Sequence, residues 1–130
     1  MKVSTRGRYG LRAMVELAKH EGEGAIPLRK IAENQSISEQ YLEQLFSNLR
    51  KSQLVKSVRG AKGGYMLSSS PDNTTVKEII SALEGPIAPV DCVLDDGDDC
   101  KYSRDCSTHE LWDRLQENII DMLDSVTLAD

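Results

Sequence analysis

The segment 91–109, DCVLDDGDDCKYSRDCSTH, holds all three cysteines of the 130-residue chain, Cys92, Cys100 and Cys106, together with His109, one of its two histidines. Their spacing is C-x7-C-x5-C-x2-H. Thiolate and imidazole are soft ligands that select zinc, copper or iron–sulfur centres. Zinc ribbons and knuckles are usually built on C-x2-C pairs, which this segment lacks. Wider gaps suit a bulkier object, and an iron–sulfur cluster is held by thiolates with imidazole as an occasional replacement. A two-iron cluster needs four protein ligands, and three cysteines plus His109 supply four. An odd number of cysteines also rules out a framework made only of disulfides. The six aspartates of the segment lack full calcium-loop spacing and read as a solvated loop. His20, the other histidine, closes the first helix and reads as structural.

These ligands need a frame. The length suits one domain with one core. Hydrophobic residues make up 39% and charged residues 28% of the chain, an ordinary globular balance. No apolar run approaches a membrane span, and the basic start MKVSTRGRYG has no apolar signal core behind it. A cytoplasmic protein without a membrane partner is expected. In that compartment clustered thiols mean metal or redox chemistry more often than disulfides.

The net charge of −5 is unevenly laid out. Residues 1–70 carry 12 Lys and Arg against 6 Asp and Glu, whereas residues 71–130 carry 4 against 15. A basic half can sit on a phosphate backbone from which the acidic half is repelled. Ser4 is placed to cap a helix running to about His20, with Leu11, Met14, Val15 and Ala18 as its apolar stripe and Arg6, Arg8 and Arg12 in its early turns. A short helix over 27–34 leads through QSI into a second one capped by Ser38. There Leu42, Leu45, Phe46 and Leu49 repeat at i, i+3, i+4, i+7, a buried face. Gln40, Gln44, Ser47 and Lys51 fall opposite, with Tyr41 and Glu43 on the flanks. Residues 54–67 read as two strands joined by RGAKGG, with Arg59 and Lys62 at the tip. Helix, turn, helix and then a basic hairpin is the winged helix-turn-helix pattern for duplex DNA. Gln40 and Gln44 can pair with an adenine edge, and Glu43 can accept from cytosine. Arg6, Arg8, Arg50 and Lys51 are suited to phosphate contacts, which position without specifying. GAKGG lacks the Gly-Lys-Ser/Thr ending of a phosphate loop.

Beyond the wing, TVKEIISALEG reads as a helix ended by Gly85. Ser107 can cap a last helix reaching about Ser125. Leu111, Leu115, Ile119, Met122 and Val126 form a long apolar stripe, best buried against the same helix of a second subunit. A dimer would carry two reading helices to half-sites about one DNA turn, roughly 34 Å, apart.

MKVSTRGRYGLRAMVELA, SISEQYLEQLFSNLRKSQLVKSVRGAKGGYML and VKEIISALEGPIAPVDC, with the DSVTLAD ending, resemble the IscR-type iron–sulfur transcription regulators of bacteria, the Rrf-two family. The likeness covers almost the whole chain. It implies a mainly α fold with a small β-wing: a winged helix-turn-helix domain over 1–85, a cluster-binding loop over 86–106 and a long C-terminal dimerisation helix over 107–130. It implies a homodimeric repressor, not an enzyme, that binds a palindromic double-stranded operator through Arg6, Arg8, Ser38, Gln40, Tyr41, Glu43, Gln44, Arg50, Lys51, Arg59 and Lys62. In this branch Cys92, Cys100, Cys106 and His109 would hold a 2Fe–2S cluster, received from cluster-donor proteins, and the targets would be iron–sulfur assembly genes. The first gap of seven residues is longer than in the best-known members, and related iron-responsive branches hold 4Fe–4S. Nitric-oxide sensors of the family can use an acid early in the first helix, where this chain has Arg8. Cysteine-metabolism repressors look alike through residue 90 and bind a partner enzyme. A small iron–sulfur electron carrier would leave the winged helix unexplained.

Overall fold

A computed structural model describes residues 4–61, 63–86 and 108–130. In chain order the elements are α1 (Thr5–Lys19), α2 (Leu28–Gln35), α3 (Glu39–Lys51), β1 (Val55–Val58), β2 (Gly64–Leu67), a 3-10 turn (Pro71–Asn73), α4 (Val76–Glu84) and α5 (His109–Asp124). This is the mainly α fold with a two-stranded antiparallel wing that the sequence suggests. No helix among the described residues is long and apolar enough to cross a membrane.

α3 shows why the chain folds this way. Its polar start is capped by Ser38, whose Oγ accepts from the Tyr41 amide at 3.1 Å. Leu42, Leu45, Phe46 and Leu49 are then buried on one side, joined by Met14 and Leu17 of α1, Ile31 of α2, Val55 of β1 and Ile79 and Leu83 of α4. A single core thus fixes all five elements, and burying each large side chain contributes roughly 1.5–3 kcal/mol.

The turn from α2 to α3 runs through Ser36, at φ 55 in the left-handed region. A non-glycine residue there carries backbone strain. The wing pairs Val55 with Leu67 and Val58 with Gly64. Mutual hydrogen bonds of 2.9 Å between Ile26 and Tyr65 clip it to the start of α2. Gly64, at φ +152, permits that clip, because a Cβ there would lie 2.2 Å from the Ile26 carbonyl oxygen.

The inward face of α1 differs from the expected stripe. Gly10, Ala13, Met14 and Leu17 turn to the core, whereas Val15 is 37% exposed and Leu11 and Ala18 are half-buried. Small residues win the core position because α4 approaches closely: a Cβ on Gly10 would meet Leu83 Cδ1 at 2.2 Å. Leu11 instead faces α5 across a cleft. The end of the chain is also pinned. The Val76 amide donates to the Val126 carbonyl at 2.9 Å, and the Leu128 amide to the Thr74 carbonyl at 3.0 Å.

α1 and α2 are tied by a buried carboxylate. Glu16 accepts from Asn34 Nδ2 at 2.7 Å and Gln35 Nε2 at 3.0 Å, with His20 Nε2 3.5 Å away. The Asn34 hydrogen bond above all holds the Glu16 pKa below its ordinary value, against the opposing pull of burial. A depressed carboxylate contributes stability above its unfolded pKa and loses it as pH falls through the folded value. Glu16→Ala should therefore lower stability at neutral pH by about 1.5–3 kcal/mol, the net worth of hydrogen bonding to a charged group. The gap between wild type and Glu16→Gln should narrow as pH drops below the ordinary glutamate value of 4.5. Urea unfolding of the three proteins across that range measures both effects.

Candidate nucleic-acid interface

With its apolar face buried, α3 presents the other. Gln40, Glu43, Gln44, Ser47 and Asn48 line one shallow open cleft, and Gln40, Glu43 and Gln44 are exposed. Three amides and a carboxylate side by side make a hydrogen-bonding surface with both donors and acceptors, as base-edge reading requires. Asn48 was not singled out from sequence, yet it shares this cleft.

Positive charge frames the helix. Arg50 and Lys51 are exposed in its last turn, Arg6 and Arg8 are exposed in the first two turns of α1, and Arg59 is exposed at the wing. The two contacts of ion-pair length found among the described residues are both made by His20, with Glu16 and with Glu23. Hence none of these five cations is neutralised by an ion pair there. Unpaired guanidinium and ammonium groups are available to phosphate oxygens. Lys56 on β1 and Arg29 and Lys30 of α2 are also exposed. Lys62 lies outside the described residues.

Two of the expected contacts have internal duties. Ser38 Oγ is an acceptor in the α3 cap, leaving its hydroxyl proton to donate. Tyr41 is half-buried. Its ring meets Tyr9 edge-on at 6.3 Å, and its hydroxyl lies 3.3 Å from Thr5 Oγ1. Arg12 stacks over Tyr9 at 5.6 Å and donates to Gln35 Oε1 at 3.1 Å. This polar seam sets α1 against the helix-turn-helix pair. Sequence could suggest Tyr41 as a contact but not its bracing role.

Of the four expected cluster ligands, only His109 lies within the described residues; Cys92, Cys100, Cys106 and the Ser107 cap lie outside them. His109 opens α5, half-buried, with Nδ1 buried and lacking a hydrogen-bond partner among the described residues. A buried polar atom left so is costly, and a bound metal is one way to satisfy it. No group of three metal-ligating side chains occurs among the described residues. On α5, Leu111 is 56% and Met122 61% exposed, and the helix buries no residue. Ile119, Met122 and Leu123 line an apolar cleft of about 460 Å³ with Gly7, Arg8 and Leu11 of α1 and Val76 and Ile80 of α4.

The family model Rrf2, an iron-dependent transcriptional regulator, matches residues 3–130. The chain belongs to the Rrf2 family. It is 52% identical over 130 residues to the transcriptional regulator CymR of Bacillus subtilis, covering all of this chain and 88% of that protein. It is 44% identical to the regulator IscR of Erwinia tasmaniensis, again over its whole length and 78% of the relative. The structure of CymR, the global cysteine regulator of B. subtilis, superposes with a TM-score of 0.82 at 51% identity, covering 100% of this chain and 95% of that one. T. potens IscR superposes at 0.81 with 46% identity, covering 100% and 85%. Winged-helix regulators read DNA with the helix that corresponds to α3, which makes its polar face the candidate reading face.

Glu43 stands out on that face, since a carboxylate repels phosphate and suits few base edges. Its expected role is to exclude wrong sequences. Glu43→Ala should relax preference at one base position, by about 1–3 kcal/mol, with little loss on the best site. Selection from a random duplex library with both proteins measures this; identical motifs would remove Glu43 from specificity.

Proposed function

We propose that this Rrf2 regulator is a homodimeric cytoplasmic repressor that binds a palindromic operator, and that an iron–sulfur cluster on Cys92, Cys100, Cys106 and His109 controls that binding. The observation that carries the DNA-binding part is the α3 face. Its amides and Glu43 line one open cleft, and Arg50, Lys51, Arg59, Arg6 and Arg8 are exposed without an ion pair among the described residues. In this reading Gln40, Glu43 and Gln44 read bases, while Ser38 and the cations hold phosphates. Tyr41 and Lys62 complete the set, the first by holding α1 to α3 and the second at the wing tip. α5 pairs with its copy through Leu111, Leu115 and Met122, whose exposure in the single chain supports that role. The function is binding, with no catalytic step assigned.

The cluster reading rests on the four-ligand pattern, on the Nδ1 of His109, which has no hydrogen-bond partner among the described residues, and on the IscR relatives. When bound, such a centre supplies an iron- and redox-sensitive cross-link among its ligands. A 2Fe–2S form is favoured over 4Fe–4S by the one-imidazole ligand set, with cluster-donor proteins as the source and iron–sulfur assembly genes as targets. The similarity to CymR favours a second reading, a repressor of cysteine metabolism that needs no cluster. The two separate in one experiment. After anaerobic loading with iron and sulfide, the chain should show cluster absorbance and bound iron, both reduced in His109→Ala, and its affinity for a library-selected duplex should change with loading. An apoprotein that binds the duplex and takes up no iron would leave the cysteine-metabolism reading.

A further inference from the structure

We propose that Glu84 positions the DNA-contacting first turn of α1 and, through it, the start of α3; this rests on the DNA-binding reading above. Glu84 is the last residue of α4. An acid at a helix C-terminus opposes the local dipole, so its own helix gains nothing from it. Its side chain is spent elsewhere. Glu84 Oε1 accepts from the Ser4 amide at 3.2 Å and the Gly7 amide at 2.8 Å, and also from Ser4 Oγ. These amides are at the N-terminus of α1, where the first N–H groups have no partner within the helix.

Among the described residues no local cap closes that end. Ser4 occupies the N-cap position but makes no side-chain cap, and the first turn contains no acid. It is instead basic, with Arg6 and Arg8. Glu84 thus supplies from α4 both the missing acceptor and the negative charge that a helix start prefers. The same turn bears Thr5, whose Oγ1 lies 3.3 Å from the Tyr41 hydroxyl in the first turn of α3. Close packing makes the link stiff, because Gly10 lets Leu83, the neighbour of Glu84, seat directly on α1. A path of direct contacts therefore runs from Glu84 through Ser4 and Gly7 to Arg6 and Arg8, and through Thr5 to Tyr41.

The sign of the effect separates positioning from simple charge. A solvated carboxylate near DNA repels phosphate, so removing it would tighten binding. A positioning carboxylate does the reverse. Glu84→Ala should weaken binding to a duplex selected by the wild-type protein by about fivefold, the typical cost of an N-cap expressed as affinity. The slope of log affinity against log salt should shrink by about 0.9 for each phosphate contact released. Glu84→Gln keeps the accepting oxygen and should fall between. Ser4→Ala loses one of the three bonds and should move the same way by less. Amide exchange at residues 4–8 should quicken in each variant. A folded fraction that is constant across the titration leaves the slope unchanged, so each variant is checked for folding at every salt concentration. Should Glu84→Ala fail to fold, Glu84→Gln and Ser4→Ala carry the same comparison. Tighter binding, or a wild-type slope in every folded variant, overturns the proposal and leaves the DNA-binding reading standing. A flat salt titration of the wild type overturns both.

Discussion

α3 can offer a polar face to a ligand only because its other face is anchored. Phe46, Leu42, Leu45 and Leu49 are 0–1% exposed and share one core with α1, α2, α4 and β1. Their burial is worth roughly 1.5–3 kcal/mol per side chain, comparable in sum to the whole net stability of a small domain. Rotating the helix to hide Gln40, Glu43 and Gln44 would forfeit that term. The display of these polar side chains is thus fixed by the packing of the opposite face. The wing follows from it, since Leu54 and Val55 continue the core directly after α3.

Around this anchor, acids and bases are distributed unequally in their duties. Glu16 in α1 is committed to Asn34 and Gln35, and Glu84 to the start of α1. Both carboxylates are used to join helices. Arg6, Arg8, Arg50, Lys51 and Arg59 have no ion-pair partner among the described residues. These acids spend their hydrogen bonds inside the fold, whereas the exposed cations remain available for long-range attraction to an anionic partner.

Periodicity and caps made α3 legible from residues alone. Four apolar residues at helical spacing, Ser38 before them and a glycine-rich tip after them each point to one structure. α1 was less legible, because it carries two apolar faces. Leu11, Val15 and Ala18 look like a core stripe, yet the core takes Gly10 and Ala13, and the smallness of Gly10 matters only once Leu83 is known to press on it. The Glu84 cap was hidden for a similar reason. Local patterns reveal caps made within three or four residues, as in the Thr75–Glu78 capping box, but not one reaching across 80 positions. Ligand spacing around Cys92 to His109 names donor atoms without giving their separations, and that part of the site stays a reading of chemistry.

The central claim is that α3, the wing and the first turns of α1 form one surface that grips duplex DNA. Its most direct test is a nuclear magnetic resonance titration of isotope-labelled protein with a duplex selected from a random library. Backbone and side-chain shifts should concentrate in residues 4–8, 38–51 and 55–64, with the Gln40 and Gln44 amide protons among the most affected. Shifts confined to α5, or spread evenly over the molecule with none at Gln40 and Gln44, would contradict it.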